Sequence, residues 1–408
     1  MQKLKPSQRA INTKPSPIRG LVNLANIQKA KGVKVNHFNI GQPDFPTPKD
    51  FFTEVRKFKE KVVAYAPSQG RAETQEAWEV YFKSVGINYK AEECIVTLGG
   101  VEALFLAHAA LLDAGDEILI FEPFYPYYEN HADILGTKVV PISLSIKNGF
   151  HLPPEKEMQK KVTKRTKAIL FCNPSNPTGV VFTPQEVKTV AKFAKKNKLW
   201  IIADEVYREY GFERAALSMA KIKEVQNQVI LTDTTSKRFN LCGGRVGVLA
   251  SHNKEFMQNV FKLAQSRESV PTIEQLAVVK LLKNAKKYYQ PTIKLFKERR
   301  DAIYHGLQDI AKTVSGLTFQ KPEGAFYIIV GLPIKNAQHF SEWLLTDFRH
   351  NNTTLCVSPA AGFYKTKGLG LNEIRLSYVV GIPIIKESML MLKKALSEYQ
   401  NKFPKLCK

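Results

Sequence analysis

The sequence predicts an α/β fold: a large domain with a mostly parallel, seven-stranded sheet, and a smaller α+β domain beside it. Three observations carry this expectation. Seven short apolar runs recur between residues 94 and 250. Several are continuous rather than alternating, as in strands covered on both faces. Amphipathic stretches of helical length lie between them, and such alternation builds parallel βαβ units.

The runs, in order, are CIVTL (94–98), EILIF (117–121), KVVPI (138–142), KAILFC (167–172), LWIIAD (199–204), VILTD (229–233) and VGVLA (246–250). Between them, VEALFLAHAALLD (101–113) and PQEVKTVAKFAKKN (184–197) read as amphipathic helices. One long helical stretch is expected over about 253–284. The remainder reads as an α+β unit: helix 291–312, strand 325–331, helix 336–349, strands 353–358 and 373–380, and helix 384–401. The first forty-odd residues are proline-rich, with Pro43, Pro46 and Pro48 in one short loop. The expected division is an N-terminal arm (1–48) joined to a small domain (291–408), and a large domain (49–290). No internal repeat or low-complexity tract interrupts it.

At 408 residues and 44% hydrophobic content, the chain can bury one large core and a smaller one. No apolar run reaches membrane-spanning length, so no membrane partner is expected. The N-terminus, MQKLKPSQRAINTK, lacks the apolar core of a secretory signal, which points to a cytoplasmic protein. Five scattered cysteines without a C-x-x-C argue against a disulfide framework, and no metal is expected. The formal charge of +23 comes from lysines spread along the chain. Without a basic block or nucleic-acid motif, it reads as a solvated surface that also draws in small anions.

Chemistry is sought where strands end, since ligands of open α/β sheets bind outside the carboxyl ends of the strands. CIVTL runs into Gly99-Gly100 and a helix, a turn whose free N–H groups suit a phosphate. KAILFC runs into the stiff loop NPSNPTG (173–179). LWIIAD ends on Asp204, a carboxylate that burial would leave costly without a cation or donors. VILTD runs into Thr234-Thr235-Ser236-Lys237, with Arg245 in CGGRVG. Singly, each has an ordinary reading, such as a helix cap or a surface ion pair. Together they supply a phosphate cradle, a buried acid and a nucleophilic amine. A pyridoxal phosphate site requires this set.

On NPTG (176–179), ADEVY (203–207) and TTSK-(x)7-R (234–245), the chain resembles the fold-type I, class I/II aminotransferases that depend on pyridoxal 5′-phosphate, especially the bacterial aspartate aminotransferases. The resemblance runs from NIGQPDFPTP (39–48) to NEIRLSYVV (372–380). It implies that Lys237 bonds the cofactor and moves the proton, and that Asp204 pairs with the pyridinium nitrogen. Tyr207 and Asn176 would hydrogen-bond the phenolic oxygen. Arg245, Thr234 and the N–H groups of Gly100 and Val101 would hold the phosphate. Tyr125 would stack on the ring, and Tyr65 would reach the phosphate of a neighbouring subunit, making a homodimer with shared sites. Arg375 would grip the substrate α-carboxylate, with Gly41 and Asn176 beside it.

The expected reaction is ping-pong transfer of an amino group from an L-amino acid, with aspartate the leading donor, to a 2-oxo acid such as 2-oxoglutarate. Three positions depart from the family's pattern. Gly244 stands where many relatives carry tryptophan. Arg238 follows the lysine. Val101 stands where some aspartate-specific relatives place a lysine for the distal carboxylate; the arginine that another subgroup brings from the partner subunit is not in register either, and Arg267 in AQSRESVP, a few residues away, is the candidate for that role. Aromatic, alanine or broad-specificity transamination, or a lyase or synthase reaction, would use the same motifs. A fused DNA-binding regulator is not expected, because the stretch before the first motif is short.

Overall fold

The structure, a computed structural model, describes residues 4–408; residues 1–3, the start of the expected arm, lie outside the described residues. The strands in chain order are β1 (Lys34–His37), β2 (Cys94–Thr97), β3 (Glu117–Glu122), β4 (Lys138–Ser143), β5 (Thr166–Cys172), β6 (Trp200–Asp204), β7 (Val229–Thr234) and β8 (Gly247–Ala250). They are followed by β9 (Thr318–Phe319), β10 (Tyr327–Gly331), β11 (Thr353–Cys356), β12 (Ser358–Pro359) and β13 (Glu373–Ser377).

The seven apolar runs form one sheet in the order β2-β8-β7-β6-β5-β3-β4. Only β8 is antiparallel to its neighbours. Its reversal matters for the site. Gly247, at its start, pairs with Thr97 and Thr234 at the ends of β2 and β7. The residues entering β8 therefore share an edge with residues leaving β2 and β7.

Continuous apolar strands follow from two-sided burial. Ile118, Ile120, Leu170, Ile202 and Ile230 pack on one face, against helices Gly100–Leu111 and Lys254–Gln265. Leu119, Phe121, Ile169, Phe171 and Ile201 pack on the other, against helix Pro184–Lys196. Each such side chain contributes about 1.5–3 kcal/mol when fully buried. Helix Pro184–Lys196 starts where its sequence specifies. Thr183 Oγ1 accepts from the Glu186 N–H at 3.2 Å, and the Glu186 carboxylate accepts from the Thr183 N–H at 2.8 Å.

The C-terminal portion forms a four-stranded sheet, β12-β13-β10-β9, backed by helices Ala285–Ala311 and Ile382–Lys402. β1, from the arm, pairs in parallel with β11. Helix Ala285–Ala311 crosses the expected boundary at 290 and contains Pro291.

Two expectations need correction. The stretch 253–284 is two helices, Lys254–Gln265 and Thr272–Lys283, parted by a turn that ends at Pro271. Proline at the new N-terminus lacks the N–H a continuing helix would need. The expected strand 353–358 divides at Val357. β11 bonds to the arm, and β12 bonds to β13 in the other sheet. All five cysteines are free, Cys94 and Cys356 buried and the others half-buried. No described helix is long and apolar enough to cross a membrane.

Candidate active site

A cleft of about 760 Å³ opens at the carboxyl edge of the large sheet, walled by the arm and by β10 and β13. Asp204 ends the central strand β6 and is 4% exposed. Its Oδ2 accepts from the Tyr128 hydroxyl at 2.5 Å and its Oδ1 from the Val206 N–H at 3.3 Å. Burial lifts the Asp204 carboxyl to about 6, against the opposing pull of those two bonds. No cation among the described residues pairs with it, so a cationic group in the cleft would complete its environment.

Thr234 ends the adjacent β7 and caps the short helix Thr235–Arg238, accepting from the Ser236 N–H at 3.2 Å. That turn projects Lys237 into the cleft. The Tyr210 hydroxyl holds the lysine's carbonyl at 3.1 Å, and its Nζ donates to the Gly41 carbonyl at 2.9 Å. Gly41 lies so close to Tyr327 that a Cβ there would stand 1.8 Å from the tyrosine oxygen.

Arg245 precedes β8 in a left-handed conformation (φ 50°, ψ 43°), an uncommon state for a non-glycine residue. Its guanidinium donates to the carbonyls of Cys242 at 3.0 Å and Leu98 at 2.8 Å. Gly99 has φ +77°, and a Cβ there would meet Arg245 Nη2 at 2.5 Å. The glycine thus admits the arginine to the N-terminus of helix Gly100–Leu111, where first-turn N–H groups lack helical acceptors. Gly100, Val101, Thr234, Ser236 and Arg245 share this corner. An arginine, a hydroxyl and a helix N-terminus together fit a phosphate.

Arg375 sits on β13, paired with Ser358 on one side and Ile329 on the other, and is 1% exposed. Its Nη1 donates to Asn176 Oδ1 at 3.1 Å and its Nη2 to the Asn39 carbonyl. The rings of Tyr327 and Phe363 lie 4.5 and 5.0 Å from its guanidinium carbon. Burial lowers its pKa, its Nε has no partner, and no carboxylate among the described residues pairs with it. A buried, unpaired guanidinium is a receptor for an anion. The Tyr207 hydroxyl lies 2.8 Å from that of Tyr327, and burial raises Tyr207 well above the ordinary tyrosine range.

Of the residues expected from sequence, Gly41, Gly100, Val101, Tyr125, Asn176, Asp204, Tyr207, Thr234, Lys237, Arg245 and Arg375 line this one cleft. Tyr125 is half-buried there, its ring stacked on Tyr127 with centroids 4.9 Å apart. Two residues do not join them. Tyr65 is 82% exposed. Arg267 lies outside the cleft lining. Its Nε pairs with Glu102 at 3.0 Å and its Nη2 donates to the carbonyls of Ser68 and Val96. Glu102 in turn accepts from the Leu98 N–H at 2.7 Å. Arg267 therefore braces the turn behind Gly99, with its charge already matched.

Sequence reasoning assigned no role to Tyr327, Asn39 or Tyr128, nor to Arg19, which also lines the cleft. A tyrosine inside an apolar strand, as Tyr327 is, signals a buried hydroxyl needing a partner. Arg19 carried no local signal.

Comparison with known proteins agrees with this geometry. Residues 33–361 match the family model described as aminotransferase class I and II. A probable aspartate/prephenate aminotransferase of Aquifex aeolicus is 33% identical, covering 96% of this chain and 98% of the relative. The aspartate aminotransferase of Thermus thermophilus, solved with maleate, superposes with a TM-score of 0.86 at 26% identity, covering 97% of this chain and all of that one (100%). An alanine aminotransferase from Pyrococcus furiosus gives a TM-score of 0.87 at 29% identity, with 97% and 100% coverage.

Proposed function

The chain belongs to the class I and II aminotransferases, and from that premise we propose that it moves the amino group of aspartate to a 2-oxo acid such as 2-oxoglutarate, using the cleft around Lys237. It is a fold-type I transaminase that depends on pyridoxal 5′-phosphate. The observation that carries the site assignment is the convergence of Lys237, Asp204, Arg245 and Arg375 on one cleft. Aspartate is favoured because it names the donor of relatives spanning nearly the whole chain.

Bound pyridoxal phosphate supplies an electrophilic carbon for the amino group and a cationic ring that stabilises the carbanion left when Cα loses its proton. Arg245, Thr234 and the N–H groups of Gly100 and Val101 bind the phosphate. Asp204 keeps the ring nitrogen protonated; its buried, cation-free carboxylate supports this role. Tyr207 and Asn176 would donate to the phenolic oxygen, and Tyr125 would cover the ring. Lys237 would hold the cofactor through Nζ, and its amine, when free, would be the base placed to take the Cα proton. Arg375 grips the α-carboxylate with a two-pronged contact and, with Gly41 beside it, orients the Cα–H bond toward that amine.

A cytoplasmic homodimer completes the reading, with Tyr65 reaching the partner's phosphate. Its support is the exposure of Val62 (70%), Val63 (60%) and Tyr65 (82%). They follow closely in the chain on Phe58, Lys59 and Glu60, which with Ile273, Leu276 and Val279 line part of a groove of about 830 Å³. The arm (1–48) and residues 291–408 would act as one unit against 49–290.

The deciding experiment adds single amino acids to the loaded protein without an oxo acid and follows the cofactor spectrum. Conversion to the pyridoxamine form, fastest with aspartate, is expected. Faster conversion with alanine or an aromatic amino acid would replace the donor. Adducts that never convert would mean a lyase or synthase.

A further inference from the structure

Four cationic side chains line the cleft, Arg19, Lys237, Arg245 and Arg375, against one carboxylate, Asp204. On the reading above, three have ligands: the phosphate for Arg245, the cofactor carbon for Lys237 and the α-carboxylate for Arg375. Arg19 is left over. Its side chain is exposed, and among the described residues its guanidinium has neither an ion-pair nor a hydrogen-bond partner. Val101, in the first turn of helix Gly100–Leu111 and also in the lining, offers no charge.

The side chain is free, but its backbone is fixed. The Arg19 N–H donates to the Ser16 carbonyl at 3.1 Å, and its own carbonyl accepts from Val22 at 3.0 Å as the next helix begins. Leu21 is buried just beyond. Pro17 packs so closely on Gly362 that a Cβ there would meet it at 2.6 Å. The Ile18 carbonyl accepts from Asn39 Nδ2 at 3.1 Å, and the Asn39 carbonyl is itself the acceptor for Arg375 Nη2. One asparagine therefore fixes the turn bearing Arg19 relative to the guanidinium that grips the α-carboxylate.

We propose that Arg19 receives a second carboxylate, at the end of the substrate away from Cα, and so selects dicarboxylic amino and oxo acids. The inference rests on the aminotransferase reading and deepens it, placing the distal charge on the arm rather than on Val101 or Arg267. An arginine suits this task because its planar fork matches a carboxylate while its long stem can follow substrates of different length.

The test compares the loaded wild-type enzyme with Arg19→Gln and Arg19→Lys by titration calorimetry. The probes are succinate, a dicarboxylate that cannot react, and butyrate, which keeps only one carboxylate. Arg19→Gln should weaken succinate by roughly 10- to 100-fold, leave butyrate within about twofold, and raise KM for aspartate but not for alanine. Arg19→Lys should fall between wild type and Arg19→Gln. Unchanged succinate affinity in Arg19→Gln would overturn the proposal, and so would an equal loss for succinate and butyrate, which would mean the arm had merely shifted. Calorimetry needs no turnover, so failure of the transamination assay would count against the reaction while succinate still decided Arg19.

Discussion

The Nζ of Lys237 donates to the carbonyl oxygen of Gly41 at 2.9 Å, across 196 positions of sequence. The amine is thus aimed by a loop of the arm, and that loop is held by contact with Tyr327. Gly41→Ala would put a methyl group 1.8 Å from the Tyr327 oxygen and 2.6 Å from its ring carbon. Overpacking of this kind costs about 1–3 kcal/mol. A lower Tm and a slower half-reaction are expected. Adding Tyr327→Phe should not restore either, because the ring carbon remains; full recovery in the double variant would place the strain elsewhere.

Lys237→Ala should bind pyridoxal phosphate without a covalent link. Borohydride treatment followed by mass spectrometry should then find unmodified chain, where the wild type carries the reduced adduct. Turnover should fall by about 100- to 10,000-fold, as for loss of a proton-transfer group. An adduct at another lysine together with normal turnover would reassign the nucleophile.

Burial raises the Asp204 carboxyl to about 6 from an ordinary value of 3.8. Between those pH values the folded chain binds more protons than the unfolded one. Stability without cofactor therefore falls as pH rises through that window, by on the order of 3 kcal/mol. A pyridinium beside the ionised carboxylate offsets the loss. The rise in Tm on adding pyridoxal phosphate should therefore grow between about pH 4.5 and pH 7. In Asp204→Asn this growth should shrink markedly. The same pH dependence in both proteins would remove Asp204 from the account.

Arg375→Ala removes a buried receptor with no carboxylate of its own. The kcat/KM of every α-amino acid should fall by the equivalent of about 2–5 kcal/mol. Steady-state assays on aspartate and alanine test this. Loss confined to aspartate would move Arg375 to the distal carboxylate.

Arg238 is fully buried, pairing through Nη2 with Asp233 and Glu209, each at 3.0 Å. Its carbon lies 4.2 Å from the centroid of Tyr81. Arg208 joins the same cluster, 2.9 Å from Asp233. Removing one partner strands buried charge, so Arg238→Met should lower stability by about 3–5 kcal/mol in denaturant melts. A loss under about 1 kcal/mol would mean that water or Arg208 compensates.

The fold was legible because its signals are local. Ile201, Ile202 and Ala203 are apolar in succession since both faces of β6 are covered, and Thr183 with Glu186 marks a helix start within four residues. Lys237, Asp204, Asn176 and Arg245 were legible for a related reason: Asp204 ends a strand, Asn176 and Lys237 follow strands, Arg245 leads into the reversed β8, and all four positions meet at one edge of the sheet. Where hydrogen-bond partners are distant, the sequence was silent. Nothing in residues 353–358 says that Val357 parts strands belonging to two sheets.

Sequence by itself determined the sheet, the chemistry-bearing residue types and the edge where they gather, because periodicity and strand ends are short-range properties. Tertiary structure alone decided which arginines are free. Arg267 and Arg19 are both cations in loops, yet Glu102 neutralises one, while the Asn39-tethered turn holds the other at the cleft with no partner among the described residues. A charge is spent or available according to what packs within a few ångströms of it, and that is fixed only when distant segments meet.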